Sequence, residues 1–85
     1  PEPVFVLPSV RVTYSSIVGE NHIRCNLKST DGSTINGIAF RALDNKVGEI
    51  LLNHNDATFN VAGKIRKNNW QGRHSVQFII QDIAL

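Results

Sequence analysis

No methionine occurs in this 85-residue chain, which opens on Pro1. A chain with this start is expected to be a piece of a longer reading frame or a processed product. Cys25 is the only cysteine, so an internal disulfide is impossible and a site built on several thiolates is excluded. That usage fits a reducing, cytoplasmic setting. No apolar run reaches the length of a bilayer crossing, and no secretory signal is visible, so a membrane partner is not expected. Catalytic material is also sparse. His22, His54, His74 and the seven scattered acids form no ligand pair at a recognised spacing, and the chain is expected to hold no metal and no catalytic residue.

What remains is a composition suited to one compact domain. A hydrophobic share of 41% supports a modest core, and 85 residues leave no room for a second one. Nine Lys plus Arg against seven Asp plus Glu give a net charge of +2, too small by itself to indicate a nucleic-acid partner. Its distribution is more informative. Lys64, Arg66, Lys67 and Arg73 lie in a stretch without acids, which are instead found mainly at Glu2, Glu20, Asp31, Asp44, Glu49 and Asp56.

The apolar spacing predicts five strands and one helix. Val10, Val12 and Tyr14 alternate with Arg11, Thr13 and Ser15, the period of a half-buried strand. Ile23, Cys25 and Leu27 alternate with polar residues in a second strand. Asp31-Gly32 then signals a hairpin into a third strand over 34–40, where Gly37 marks a bulge or bend. Leu43, Val47, Ile50 and Leu51 fall at helical intervals behind Asp44, the expected N-cap. Gly48 weakens this short helix, so packing must hold it. Phe59, Val61, Gly63 and Ile65 define a fourth strand, residues 68–72 supply turn chemistry, and Val76, Phe78 and Ile80 define a fifth. Three strands, a helix and two strands are the connectivity of the five-stranded OB-fold Greek-key barrel, an all-β fold. An open sandwich would leave edges that closure removes. On this reading residues 1–8 are a linker and 9–85 the OB-fold domain.

Several segments resemble the C-terminal part of RecJ-type single-stranded-DNA exonucleases. They are Pro1-Glu2-Pro3-Val4-Phe5, Asn21-His22-Ile23-Arg24, Ile38-Ala39-Phe40 and, most specifically, the run from Trp70 to Phe78 with Asp82-Ile83. The chain has Gln71 where that family usually has Asn, and His74 where it often has Arg. The resemblance implies an OB domain attached to a two-lobed DHH-type phosphoesterase core that degrades single-stranded DNA from the 5′ end with manganese or magnesium. The core's Asp-His-His triplet does not occur here, so no family metal ligand carries over. The fragment alone is therefore expected to be no enzyme, and its partners single-stranded DNA, its own upstream nuclease core and a single-strand-binding protein.

The candidate nucleic-acid-binding residues are His22, Arg24, Lys28, Lys67, Trp70 and Arg73. His22, Arg24 and Lys28 share the polar face of the second strand, and in OB folds this surface commonly carries the oligonucleotide groove; an ordinary solvated face would look the same. Trp70, between Lys67 and Arg73 in the presumed loop after the fourth strand, either stacks on bases or packs the barrel end. Lys64 and Arg66 face outward on the fourth strand as solvated charge or a docking surface, and Arg41 is equally uncommitted. Cys25 shares a face with Ile23 and Leu27 and reads as a small buried hydrophobe. His74 and Ser75 point to opposite faces of a strand and cannot pair as base and nucleophile. Two functions stay open: an accessory grip on single-stranded DNA, or a protein-interaction module that braces the core or docks a partner.

Overall fold

The computed structural model describes residues 2–85, apart from the side chain of Trp70. Its elements run β1 (Phe5–Val18), β2 (His22–Lys28), β3 (Thr34–Ala39), α1 (Lys46–Leu52), β4 (Thr58–Trp70) and β5 (Arg73–Ala84). The strands close into a barrel in the order β1-β2-β3-β5-β4. Only the β3–β5 seam is parallel. This is the expected OB fold, with its one short helix between the third and fourth strands. No helix among the described residues is long and apolar enough to cross a membrane.

Closure follows from the length of β1, which serves two neighbours. Its first half pairs with β4, Phe5 opposite Gly63 and Leu7 opposite Val61, and its second half pairs with β2. Residues 5–8, expected in the lead-in segment, thus belong to the barrel wall. The strand bends between Leu7 and Val10, where Ser9 adopts φ 52° and its N–H donates to Asn60 Oδ1 at 3.1 Å. A second irregularity between Val12 and Tyr14 makes Thr13 an extra residue. It reverses the alternation, so Tyr14, expected on the inner face with Val12, stands outward opposite Asn26.

Inside, Phe78, Ile23, Leu27, Leu51, Val61 and Cys25 are the largest fully buried side chains. Cys25 is the buried hydrophobe its strand pattern predicts, and burial pushes its thiol up to about 12. The seven-residue α1 is too short to persist alone. It is held by buried Leu51 and by Val47 and Ile50 against the core. Asn45, not the expected Asp44, caps it: the Asn45 Oδ1 accepts from the Gly48 N–H at 3.1 Å. Either side chain can do this chemistry; the backbone trace chooses between neighbours.

The β2–β3 and β4–β5 hairpins differ in detail from the expected turns. Between β2 and β3 the loop spans residues 29–33 and only Gly32 has positive φ. Asp31 organises it, accepting from the Ser29 hydroxyl, from the Ser33 hydroxyl at 2.6 Å and from the Ser33 N–H at 2.9 Å. These bonds hold its carboxyl down to about 2. Because the folded value lies below the ordinary one, the loop's contribution is complete above the unfolded value near 4 and is lost as pH falls toward 2. A carboxyl-carbon NMR titration should place the Asp31 midpoint near 2; a midpoint in the ordinary carboxylate range would contradict the loop geometry.

The β4–β5 hairpin is longer than the alternation predicts. Asn68, Asn69 and Trp70, expected in a loop, continue β4 opposite Ser75, His74 and Arg73. The turn is left to two residues, Gln71 (φ 51°) and Gly72 (φ 75°), both left-handed. Two-residue hairpin turns of this kind favour Asn-Gly, because Asn tolerates positive φ far better than Gln. Gln71→Asn should therefore stabilise the protein by up to about 1 kcal/mol and raise Tm by several degrees, as read by thermal unfolding. An unchanged or lower Tm would contradict that account.

Candidate nucleic-acid interface

Strand register assembles a continuous outer face across the barrel. Side chains paired across strands stand on the same side of a sheet, so the pairings can be read as rows. One row runs Tyr14, Asn26, Asn36, Gln77, Arg66. The next, two residues along each strand, runs Ser16, Arg24, Ile38, Ile79, Lys64. Beyond it His22 on β2 meets Phe40, just after β3, edge to face with ring centroids 5.3 Å apart. The face thus has cations at its flanks, an apolar centre and two exposed aromatic rings, Tyr14 (46%) and Phe40 (44%).

Hydrogen bonds run into the polar row from both sides. Thr13 Oγ1 donates to Asn26 Oδ1 at 2.9 Å, Asn26 Nδ2 to Asn36 Oδ1 at 3.3 Å, and the Arg66 guanidinium to Gln77 Oε1 at 2.7 Å. Arg66 also lies 5.8 Å from the centroid of the Phe40 ring, a cation–π distance. His22 is fixed from behind, its Nδ1 accepting the Arg41 N–H at 3.0 Å, with Arg41 in a left-handed conformation at φ 54°. An open groove of about 400 Å³ crosses this face, lined by Tyr14, Arg24, Asn36, Asn68, Ser75 and Gln77.

Of the sequence-predicted residues, His22 and Arg24 lie on this face. Lys28, paired with Thr34 one row beyond Asn26 and Asn36, stands on the same side of β2 but lines a different cleft, of about 510 Å³, with Arg11, Thr13, Ser29 and Asp31. Lys67 pairs with Val76 and by alternation occupies the opposite side of the β4–β5 hairpin from Arg66. Arg73 is exposed beside the turn, paired with Trp70. The side chain of Trp70 lies outside the described part of the structure, so its choice between stacking and packing stays a sequence expectation. Tyr14, Asn36, Phe40, Arg66 and Gln77 join the site without having been singled out for it. Arg66 was legible as an outward cation and Phe40 as part of a motif; nothing local marked them as neighbours.

The face offers charge, amides and exposed rings to a ligand. Among the described residues no group of three His, Cys, Asp or Glu side chains could hold a metal ion. A comparison with curated proteins finds no match to the chain. The family model describing the RecJ OB domain matches residues 1–82.

Proposed function

Because this chain belongs to the RecJ OB domain family, we propose that it is an accessory domain that grips single-stranded DNA for a RecJ-like 5′-to-3′ exonuclease acting in DNA repair and recombination in the cytoplasm. Catalysis, and the manganese or magnesium it needs, belong to the DHH-type core of such an enzyme. The observation carrying the proposal is the combined outer face: Arg24, Lys64 and Arg66 supply phosphate-neutralising charge around the apolar surface of Ile38 and Ile79. Tyr14 and Phe40 offer rings to bases. Single-strand binders combine these elements, a positive groove and sequence-tolerant stacking. A strand along the rows would cross the barrel wall and pass from β2 to β4. Arg73, near the hairpin turn, and Lys28, one row beyond Asn26, extend the charge beyond the rows, and Lys67 reaches a strand only if it leaves this face.

Titration of the protein with labelled single-stranded oligonucleotide at several salt concentrations tests the proposal. Affinity should fall with salt, and Arg24→Ala should weaken binding while flattening the logarithmic salt slope by nearly one unit, as expected for one lost phosphate contact. Phe40→Ala should weaken binding about 5- to 150-fold, the equivalent of losing a stacking contact of roughly 1–3 kcal/mol, and leave the salt slope unchanged. Absence of salt-dependent binding at low ionic strength would overturn the proposal.

One observation favours the second reading, a module that docks the upstream nuclease core or a partner such as a single-strand-binding protein. The inward-facing series continues past the barrel end as Phe5, Ile65 and Val76, which are 42%, 38% and 45% exposed. Apolar side chains in such a position gain from being covered. Docking there and DNA binding on the outer face use different surfaces.

A further inference from the structure

The amide side chains in the polar row are oriented, and their orientation selects a ligand chemistry. A guanidinium carries donors only, so the 2.7 Å bond from Arg66 turns Gln77 Oε1 toward Arg66 and its NH₂ group away. From the other edge, the Thr13 hydroxyl donates to Asn26 Oδ1 at 2.9 Å, the shorter of its two contacts with Asn26, and Asn26 Nδ2 in turn donates to Asn36 Oδ1. Asn36 and Gln77 are direct register partners. Two hydrogen-bond chains thus run inward from opposite flanks and end on adjacent amide nitrogens, both on residues lining the groove. Neither nitrogen has a protein acceptor among the described residues.

Resting on the reading of this face as a single-strand platform, we infer that Asn36 and Gln77 form a donor-only reader of base edges that takes the ring carbonyls of thymine or uracil and disfavours the exocyclic amine of adenine. Phosphate oxygens are also acceptors, but Arg24 in the same groove and Arg66 and Lys64 on β4 carry the charge suited to them. The two amides are neutral and lie one row, about 7 Å, from the apolar Ile38–Ile79 pair. A base resting on those isoleucines brings its edge, not its phosphate, to the amides. Thymine presents two carbonyl acceptors there, on either side of its N3–H, so each amide can take one, whereas adenine offers a single ring-nitrogen acceptor beside an amine donor that would face the second amide. Thr13, Asn26 and Arg66 act as positioning residues that hold the two amides in this sense.

Fluorescence anisotropy with end-labelled oligo(dT), oligo(dA) and an abasic oligomer of equal length tests the inference on the wild type, Gln77→Met and Gln77→Glu. The wild type should bind oligo(dT) about 3- to 10-fold more tightly than oligo(dA), the range of one or two net hydrogen bonds. Gln77→Met removes the donors at similar length without adding charge, and should bring the ratio close to one while leaving the salt slope unchanged. Gln77→Glu keeps one oxygen for Arg66 and offers the groove an acceptor, so its ratio should shift further toward adenine. A wild-type ratio that survives Gln77→Met, or an abasic oligomer that binds as tightly as oligo(dT), would overturn the inference and leave the DNA-binding proposal standing. Failure to bind any of the three oligomers would remove both.

Discussion

Gly48→Ala should destabilise the protein by about 2 kcal/mol, although it replaces the poorest ordinary helix former with the best. The propensity gain is close to 1 kcal/mol. Against it, a Cβ on Gly48 would lie 1.7 Å from the Ala42 carbonyl oxygen and 3.0 Å from the Ile23 Cδ1. The carbonyl cannot step aside freely. It accepts the Asn45 N–H at 3.3 Å, and the Ala42 N–H is itself tied to the Asn21 carbonyl at 2.9 Å. Helix and loop must separate, withdrawing Leu51 from the core, and forced repacking of this kind costs on the order of 1–3 kcal/mol or more. Thermal unfolding should show Tm lower by about 8–16 °C for a domain of this size. A Tm at or above the wild-type value would mean that α1 does not pack as closely as described.

Gly63→Ala should be at least as damaging, and trimming the neighbouring side chain should not rescue it. Gly63 lies at the irregularity in the β4–β5 ladder, where a Cβ would lie 2.0 Å from the Ile79 carbonyl oxygen and 2.8 Å from the Phe78 ring. Were the ring the obstacle, Phe78→Leu would relieve it. The nearer atom is main chain, so the ladder itself must open at a point where hydrogen bonds hold it. The double variant Gly63→Ala/Phe78→Leu should therefore stay about 3 kcal/mol or more below Phe78→Leu alone in denaturant unfolding. Equal stability of the two would assign the close contact to the ring. Lys64 and Ile79, register partners on the binding face, would be displaced too, so the folded fraction of Gly63→Ala should also bind oligonucleotide less well.

The order of elements was legible because each carries its own periodicity. Alternation in residues 22–28 and 58–65, and the helical spacing of Val47, Ile50 and Leu51, needed no tertiary context to be read. What the sequence withheld depends on single-residue slips and on long-range pairing. Thr13 is indistinguishable in sequence from an ordinary outward strand residue, yet as an extra residue it turns Tyr14 outward onto the groove. Asn68 and Asn69 have turn chemistry, but the two-residue turn at Gln71-Gly72 draws them into the strand. His22 and Arg24 could be placed on a polar face from their own strand. Their company of Asn36, Gln77, Phe40 and Arg66 depends on β3 lying beside β5, a parallel pairing between segments about forty residues apart, for which no local pattern exists.

That same parallel seam is the barrel's shortest, three register pairs against eleven between β4 and β5. Breathing of the barrel therefore begins there, where the fewest main-chain bonds separate. The rows of the binding face cross this line at Asn36–Gln77 and Ile38–Ile79. A single strand lying along them would hold both banks at once and act as a suture. Grip on the polymer and integrity of the wall would then be one equilibrium, with the bound strand adding RT ln(1 + [L]/Kd) to the stability of the closed state. Amide exchange at Ile38 and Ile79 would slow in step with occupancy, and constant exchange there would separate the two.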